Sequence, residues 1–170
     1  VTGVQTCALP ILAVSGLMTE HIGGTSVYPY QPEGLWQELA TVTEYPQSHG
    51  SDLYRRSLYT YWKRTVPPPM MMTFDTAGRE TCEVRQTRTN TPLQSLNLLN
   101  DVTFLEAARV LAQRLLREEQ SDDARLRRAF ELVVCRAPTA LESKVLLSSV
   151  ARYRRAFAAK PAEAQRLIRV

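Results

Sequence analysis

A chain of 170 residues has room for one domain with a real core, since a protein of this size buries roughly two-thirds of its unfolded surface on folding. Its 44% apolar and 22% charged content is that of a globular protein, and no apolar run approaches the ~20 residues that span a bilayer, so the sequence carries no transmembrane helix. The net charge of +4 is uneven: positions 1–50 hold four acids (Glu20, Glu33, Glu38, Glu44) and no Lys or Arg, whereas positions 101–170 hold fourteen basic and nine acidic side chains.

Residues Val1 to Ile11, VTGVQTCALPI, correspond codon for codon to the translation of a sequencing adapter. They are expected to be non-native, to pack poorly and to give Cys7 no role. Residues 12–52 read as a loop-rich strap. Gly, Pro and Ser punctuate SGLMTEHIGGTSVYPYQP, and Tyr28-Pro29-Tyr30-Gln31-Pro32 reads as an extended, polyproline-like run that wraps a neighbouring surface. One short helix is expected from Gly34 to Thr43, with Leu35, Trp36 and Leu39 on one side. His21 and His49 have no second ligand at metal spacing and read as structural or solvent-exposed.

Residues 53–170 read as a helical domain. A helix is expected from Leu53 to Thr65, on the spacing of Tyr54, Leu58, Tyr61 and Trp62, ended by Pro67-Pro68-Pro69. Met70-Met71-Met72 reads as adaptable core filler. Thr81 to Thr89 alternates β-branched and charged residues and reads as extended. Thr91 is a good N-cap with Pro92 in the first helical position. The helix that follows is expected to turn Leu93, Leu96 and Leu99 inward and to gather Gln94, Asn97 and Asp101 on another face. From Asp101 to Glu118, the stripe Phe104, Leu105, Ala108, Leu111, Ala112 and Leu115 is strongly amphipathic.

Ser121 caps the next helix, with Asp122 and Asp123 favouring its positive end and Leu126, Phe130, Val133 and Val134 expected inside. Arg136-Ala137-Pro138 breaks it. Thr139 and Glu142 form a capping box ahead of a long helix whose expected core face is Leu146, Val150, Tyr153 and Phe157. Pro161 ends that helix and another begins at Ala162; its apolar, uncapped end is expected to be a truncation. The fold class is therefore mainly α, an irregular strap followed by at least four helices with little or no sheet.

The strings YRRSLYTYWKRTVPPPMMMTFD and RETCEVRQTRTNTPLQSLNLLND, with SGLMTEHIGGTSVYPYQPEGLW before them, resemble the C-terminal domain of unknown function of large planctomycete surface or periplasmic proteins that carry a cytochrome-c-like domain in front. The resemblance implies export, haem only in an upstream domain, contact with the upstream domains of the same polypeptide, and a link to complex polysaccharide. It supplies no catalytic residues. The haem-attachment pattern C-x-x-C-H is absent, so no cofactor is expected here. Cys82 and Cys135 are permitted a disulfide in an exported protein, but two separate thiols are favoured.

Three functions follow for weighing. The first is a non-catalytic accessory module that packs on its upstream domains or binds a glycan, with Tyr54, Tyr61 and Trp62 as aromatic contacts. The second is a hydrolase or binding domain for acidic or sulfated polysaccharide, with Asp75, Glu80, Glu83 and Asp101 as acids or bases. The third, nucleic-acid binding, lacks a reading motif and interleaves acids with its arginines, so no nucleic-acid partner is expected. A ligand or domain contact is placed at Arg79, Glu80, Arg85, Arg88, Asn90, Gln94, Asn97 and Asp101, where an extended segment enters a Pro-initiated helix. The competing reading has these arginines pair with Glu80, Glu83 and the acidic strap, pinning the strap to the helices.

Overall fold

The computed structural model describes residues 4–39, 44–78 and 89–169. Among these it is mainly α, with eight α-helices, two short 3-10 turns and isolated β-bridges in place of any strand. The chain forms two compact units, Val1–Phe104 and Leu105–Val170.

In the first unit, α1 (Val4–Ser15) ends where Gly16 takes φ 84° and sends its N–H back to the carbonyls of Leu12 and Ala13. Leu12 is buried, and Ile11 packs against the cluster of Met71, Phe74 and Phe104. Ile11, the last residue of the adapter-like stretch expected to pack poorly, thus meets the core, because an isoleucine at that helical register has an apolar surface to meet. Cys7 has no described side chain.

The strap then runs alongside residues 54–61. Thr19 pairs with Arg55 and Val27 with Thr60 as parallel bridges: the N–H groups of Thr19 and Val27 donate to the carbonyls of Tyr54 and Tyr59, and that of Tyr61 donates to Val27. This overturns the helix expected over Leu53–Thr65. Only two 3-10 turns form there, Gly50–Tyr54 and Ser57–Tyr59. Backbone groups committed to the strap are lost to an i→i−4 ladder, and a run of Tyr, Thr and Trp suits extended chain. Leu58, one of the residues whose spacing suggested that helix, is 65% exposed.

Arg55 holds the strap in place. It is buried, and its guanidinium donates to the carbonyls of His21, Gly23 and Thr25 while lying over the Tyr59 ring, 4.0 Å from its centroid. The pairing of Arg79, Arg85 and Arg88 with Glu80, Glu83 and the acidic strap falls on residues outside the description; Arg55, which was not among them, ties the strap through backbone carbonyls instead. The strap leads to α2 (Leu35–Leu39), within the helix expected over 34–43, of which 40–43 lie outside the described residues. Trp36 of α2 is buried among Tyr28, Tyr45 and Tyr61.

The proline run starts a helix as well as forbidding one: Pro69 opens α3 (Pro69–Thr73), which buries Met71 at 3% exposure and leaves Met72 outside. After residues 79–88, which fall outside the description along with the extended segment expected at 81–89, α4 (Pro92–Asn100) begins at the expected Thr91 cap. Its orientation is the reverse of expectation. Gln94 is the buried residue, while Leu93, Leu96 and Leu99 are 54%, 56% and 71% exposed. A helix normally buries its leucines; here the hydrogen bonds of Gln94, described below, decide which face turns in. The unit closes with the first turn of α5 (Val102–Glu118), started by the Asp101 carboxylate accepting from the Thr103 N–H and carrying Phe104 edge-on to Phe74 at 5.8 Å.

The second unit holds the rest of α5 with α6 (Asp122–Val134), α7 (Ala140–Ala158) and α8 (Pro161–Ile168). The expected caps are present: Ser121 accepts from the Ala124 N–H, and Thr139 and Glu142 form a reciprocal box. The buried stripes are thinner than expected. Among the described residues of this unit only Ala107 and Leu115 are fully buried, with Ala107 rather than Ala108 inside. Val133, Val134, Tyr153 and Phe157, expected in the core, are exposed, and Leu126, Phe130, Leu146 and Val150 are half-buried. Within this unit α6 packs on α7 and α7 on α8. Cys135 is an exposed free thiol in the left-handed C-cap of α6 at φ 58°.

Six arginines of this unit pair with acids. Arg109, Arg114, Arg125, Arg127 and Arg136 pair with Glu106, Glu118, Asp122, Asp123 and Glu142, and Arg154 of α7 reaches Asp122 of α6. These pairs lie on a solvated surface, each being worth little by itself.

Candidate functional site

The α4 entry is built on one amide. Gln94 Nε2 donates to the Thr73 carbonyl (2.9 Å), to Thr89 Oγ1 (3.1 Å) and to Asp75 Oδ2 (3.3 Å), and its Oε1 accepts from the Thr91 N–H (3.2 Å). Asp75 in turn accepts from the Thr89 N–H (2.7 Å) and from the Thr89 hydroxyl. These bonds hold the Asp75 carboxyl below its usual range, the backbone N–H of Thr89 being the largest cause. Asp75 occupies the left-handed region at φ 55°, which Asp tolerates better than most residues. The effect is a clamp that joins residues 73–75 to 89–94 at the two ends of the intervening segment. Asp75, one of the carboxylates considered as an acid or base, is an ionised acceptor here and unsuited to donating a proton.

On the same helix, Asn97 and Asp101 contribute to a different feature. Together with Thr103 and Phe104, and facing Gln31 and Arg55, they line a cavity of about 180 Å³ within the first unit. Polar groups share its wall with Pro68, Met70 and Met71. Gln31 Oε1 and Arg55 Nε are buried with no protein partner.

Of the eight residues placed at a ligand or domain contact, the structure brings Gln94 to the clamp, puts Asn97 and Asp101 on the cavity wall, and leaves Asn90 exposed beside the clamp. Arg79, Glu80, Arg85 and Arg88 lie outside the described residues, as do Glu83 and Cys82. The three proposed aromatic contacts separate. Tyr61 stacks on Tyr28 at 4.9 Å, Trp62 packs against the Met71 cluster, and Tyr54 gives its carbonyl to the strap.

Sequence reasoning missed Gln31 and Arg55 as cavity residues, and missed Tyr28, Trp36 and Tyr45 as companions of Tyr61. Tyr45 sits close to Tyr28 and Trp36, and burial pushes its hydroxyl well above the usual phenol range. The signal available was the aromatic and proline content of the strap. Arg55 could not have been singled out from Arg56 beside it.

Among the described residues no three His, Cys, Asp or Glu side chains gather as a metal site, and no helix is long and apolar enough to cross a membrane. No curated protein matches the chain, and no solved structure matches it. A family model does match, over residues 10–150, which includes the strap, the Arg55 anchor, the cavity and the clamp. The chain belongs to the family described as PSD1, protein of unknown function (DUF1553).

Proposed function

We infer that this chain is a non-catalytic interaction module of a larger exported polypeptide, and that it docks through the leucine face of α4 onto the cytochrome-c-bearing domains upstream of it. The observation that carries this reading is the reversed helix. Gln94 is fixed inward by four hydrogen bonds, so Leu93, Leu96 and Leu99 cannot turn in without stranding a buried amide. A row of three leucines at helical spacing, each more than half exposed, forgoes roughly 1 kcal/mol per side chain of burial that a partner surface would restore.

A neighbouring domain of the same chain is the occupant we assign, in line with the resemblance drawn from the sequence. Haem, on this reading, belongs to that neighbour. The hydrolase alternative has less support, since Asp75 is locked as an acceptor and Asp101 caps α5.

The test is calorimetric titration of this chain with the separately produced upstream domains. Saturable binding that the Leu96→Lys/Leu99→Lys double variant loses, with its circular dichroism unchanged, is the expected result. Absence of binding by the native chain, or self-association through α4 in its place, would overturn the assignment.

A further inference from the structure

The three consecutive methionines on α3 sit in three different environments. Successive helical positions point about 100° apart, so only one of the three can face fully inward. Met71 takes that place at 3% exposure, and Met72 is 46% exposed. Met70 lies between them: it is half-buried, packs against the cluster of Met71, Phe74 and Phe104, and forms part of the cavity wall. A thioether fills such irregular space as leucine would, and differs from leucine in that its sulfur can be oxidised.

A small oxidant such as hydrogen peroxide fits the space beside Met70, a cavity of about 180 Å³ or roughly six liquid-water volumes. The sulfur lone pair attacks one peroxide oxygen, the O–O bond breaks, that oxygen stays on sulfur as a sulfoxide and the other leaves as water. The thioether is oxidised and the peroxide reduced. At Met72 the new oxygen is solvated. At Met70 it is a polar acceptor set against Phe74 and Phe104, and a polar group among apolar ones is unfavourable without a donor.

The bonding of α3 carries the change onward. The Phe74 N–H donates to the Met70 carbonyl (3.3 Å), the Thr76 N–H donates to that of Met71 (3.1 Å), and the Thr73 carbonyl holds Gln94 (2.9 Å). A shift of α3 away from Phe104 therefore draws one of the clamp's acceptors with it.

We propose that Met70 is an oxidation-sensitive latch of the first unit: its conversion to the sulfoxide by hydrogen peroxide loosens α3 against Phe74 and Phe104 and weakens the Gln94 clamp, whereas Met72 oxidises without structural effect. Methionine sulfoxide reductases reverse the step, one enzyme for each epimer. The latch is independent of docking through α4, and each can fail without the other.

The experiment treats the full chain, its cysteines replaced by serine so that only thioethers respond, with hydrogen peroxide for increasing times and quenches with catalase. Fragmentation mass spectrometry counts the oxygen added at Met18, Met70, Met71 and Met72, and Tm and the Thr89 amide protection factor are read on the same samples. Oxidation at Met72 ahead of any change in Tm is expected, followed by a fall of at least about 4 °C and a loss of Thr89 protection, both tracking Met70. Met70→Leu, which nearly conserves volume, should keep its Tm under the same treatment, and Met72→Leu should lose it as the native methionines do. The correlation comes from the chain with all four methionines, so the test stands even should Met70→Leu not fold. Resistance of Met70 to peroxide in the folded chain, a Tm fall that tracks Met18, Met71 or Met72, unchanged Tm or Thr89 protection at full Met70 oxidation, or a folded Met70→Leu that remains sensitive would overturn the proposal.

Discussion

Gln94 and Arg55 are the two side chains on which most of the first unit's order depends, and both are polar. Gln94→Ala removes the donor to Thr73, Thr89 and Asp75 and half of the capping box together. Loss of about 1 kcal/mol in urea unfolding is expected, from the lost cap and the lost hydrogen bonds to solvent-accessible partners. Gln94→Glu should cost more at neutral pH, because it replaces a donor with a second carboxylate beside Asp75.

Asp75 adds a pH dependence of known sign. Its folded carboxyl titrates below the ordinary value of 3.8, so the clamp's contribution is complete above that pH and fades as pH falls further. The protection factor of the Thr89 amide, its exchange rate divided into the intrinsic rate at each pH, should fall as pH drops below that value and stay constant above it. At Arg55 the conservative change is expected to fail: lysine has no planar fork for three carbonyls. Arg55→Lys should lose about 1.5–3 kcal/mol and expose residues 19–27 to hydrogen exchange, with α6 and α7 unaffected.

At the scale of elements, the end of α6 and the start of α7 form the best-specified junction in the second unit. Thr139 Oγ1 accepts from the Glu142 N–H, Glu142 accepts from the Thr139 N–H, and Arg136 makes a two-pronged pair with Glu142. Together these lower the Glu142 carboxyl from 4.5 to about 2, the Arg136 hydrogen bonds being the largest cause. A depressed carboxylate stabilises fully above its unfolded value and loses that contribution as pH falls toward the folded one. The acid-side fall in Tm between pH 4.5 and 2 should therefore be shallower in Glu142→Gln than in the native chain. Thr139→Ala should cost about 1 kcal/mol at any pH in that range, as the loss of an N-cap does.

These caps were legible in the sequence because they are local chemistry: Thr91-Pro92, Ser121 and T-x-x-E each name their own partners within three residues. The helix expected over Leu53–Thr65 was not recoverable in the same way. Its backbone groups are claimed by Thr19 and Val27, more than thirty residues earlier, and no local pattern records that. The direction of α4 was hidden for a related reason. Its leucines and its amides lie on opposite faces as read, but which face turns inward is settled by Thr73, Asp75 and Thr89, acting through the tertiary fold.

For the whole molecule, the two units differ in what holds them. The first is tied by long-range contacts: the strap bridges, the Arg55 anchor, the aromatic group around Trp36 and the Phe74–Phe104 pair. The second is a set of capped, ion-paired helices with little fully buried surface of its own. Its class was readable from the 3.6-residue period alone, whereas the sites in the first unit depend on residues distant in sequence, Gln31 meeting Asn97 and Asp101 across one cavity.

Thiol labelling reads directly whether α4 presents its leucines outward to a neighbouring domain. With the native cysteines replaced by serine, Leu96→Cys and Leu99→Cys should react rapidly in this chain, since both positions are more than half exposed, and slowly in the polypeptide that includes the upstream domains. Slow labelling in this chain would contradict the reversed helix. Equally fast labelling in both would contradict the docking.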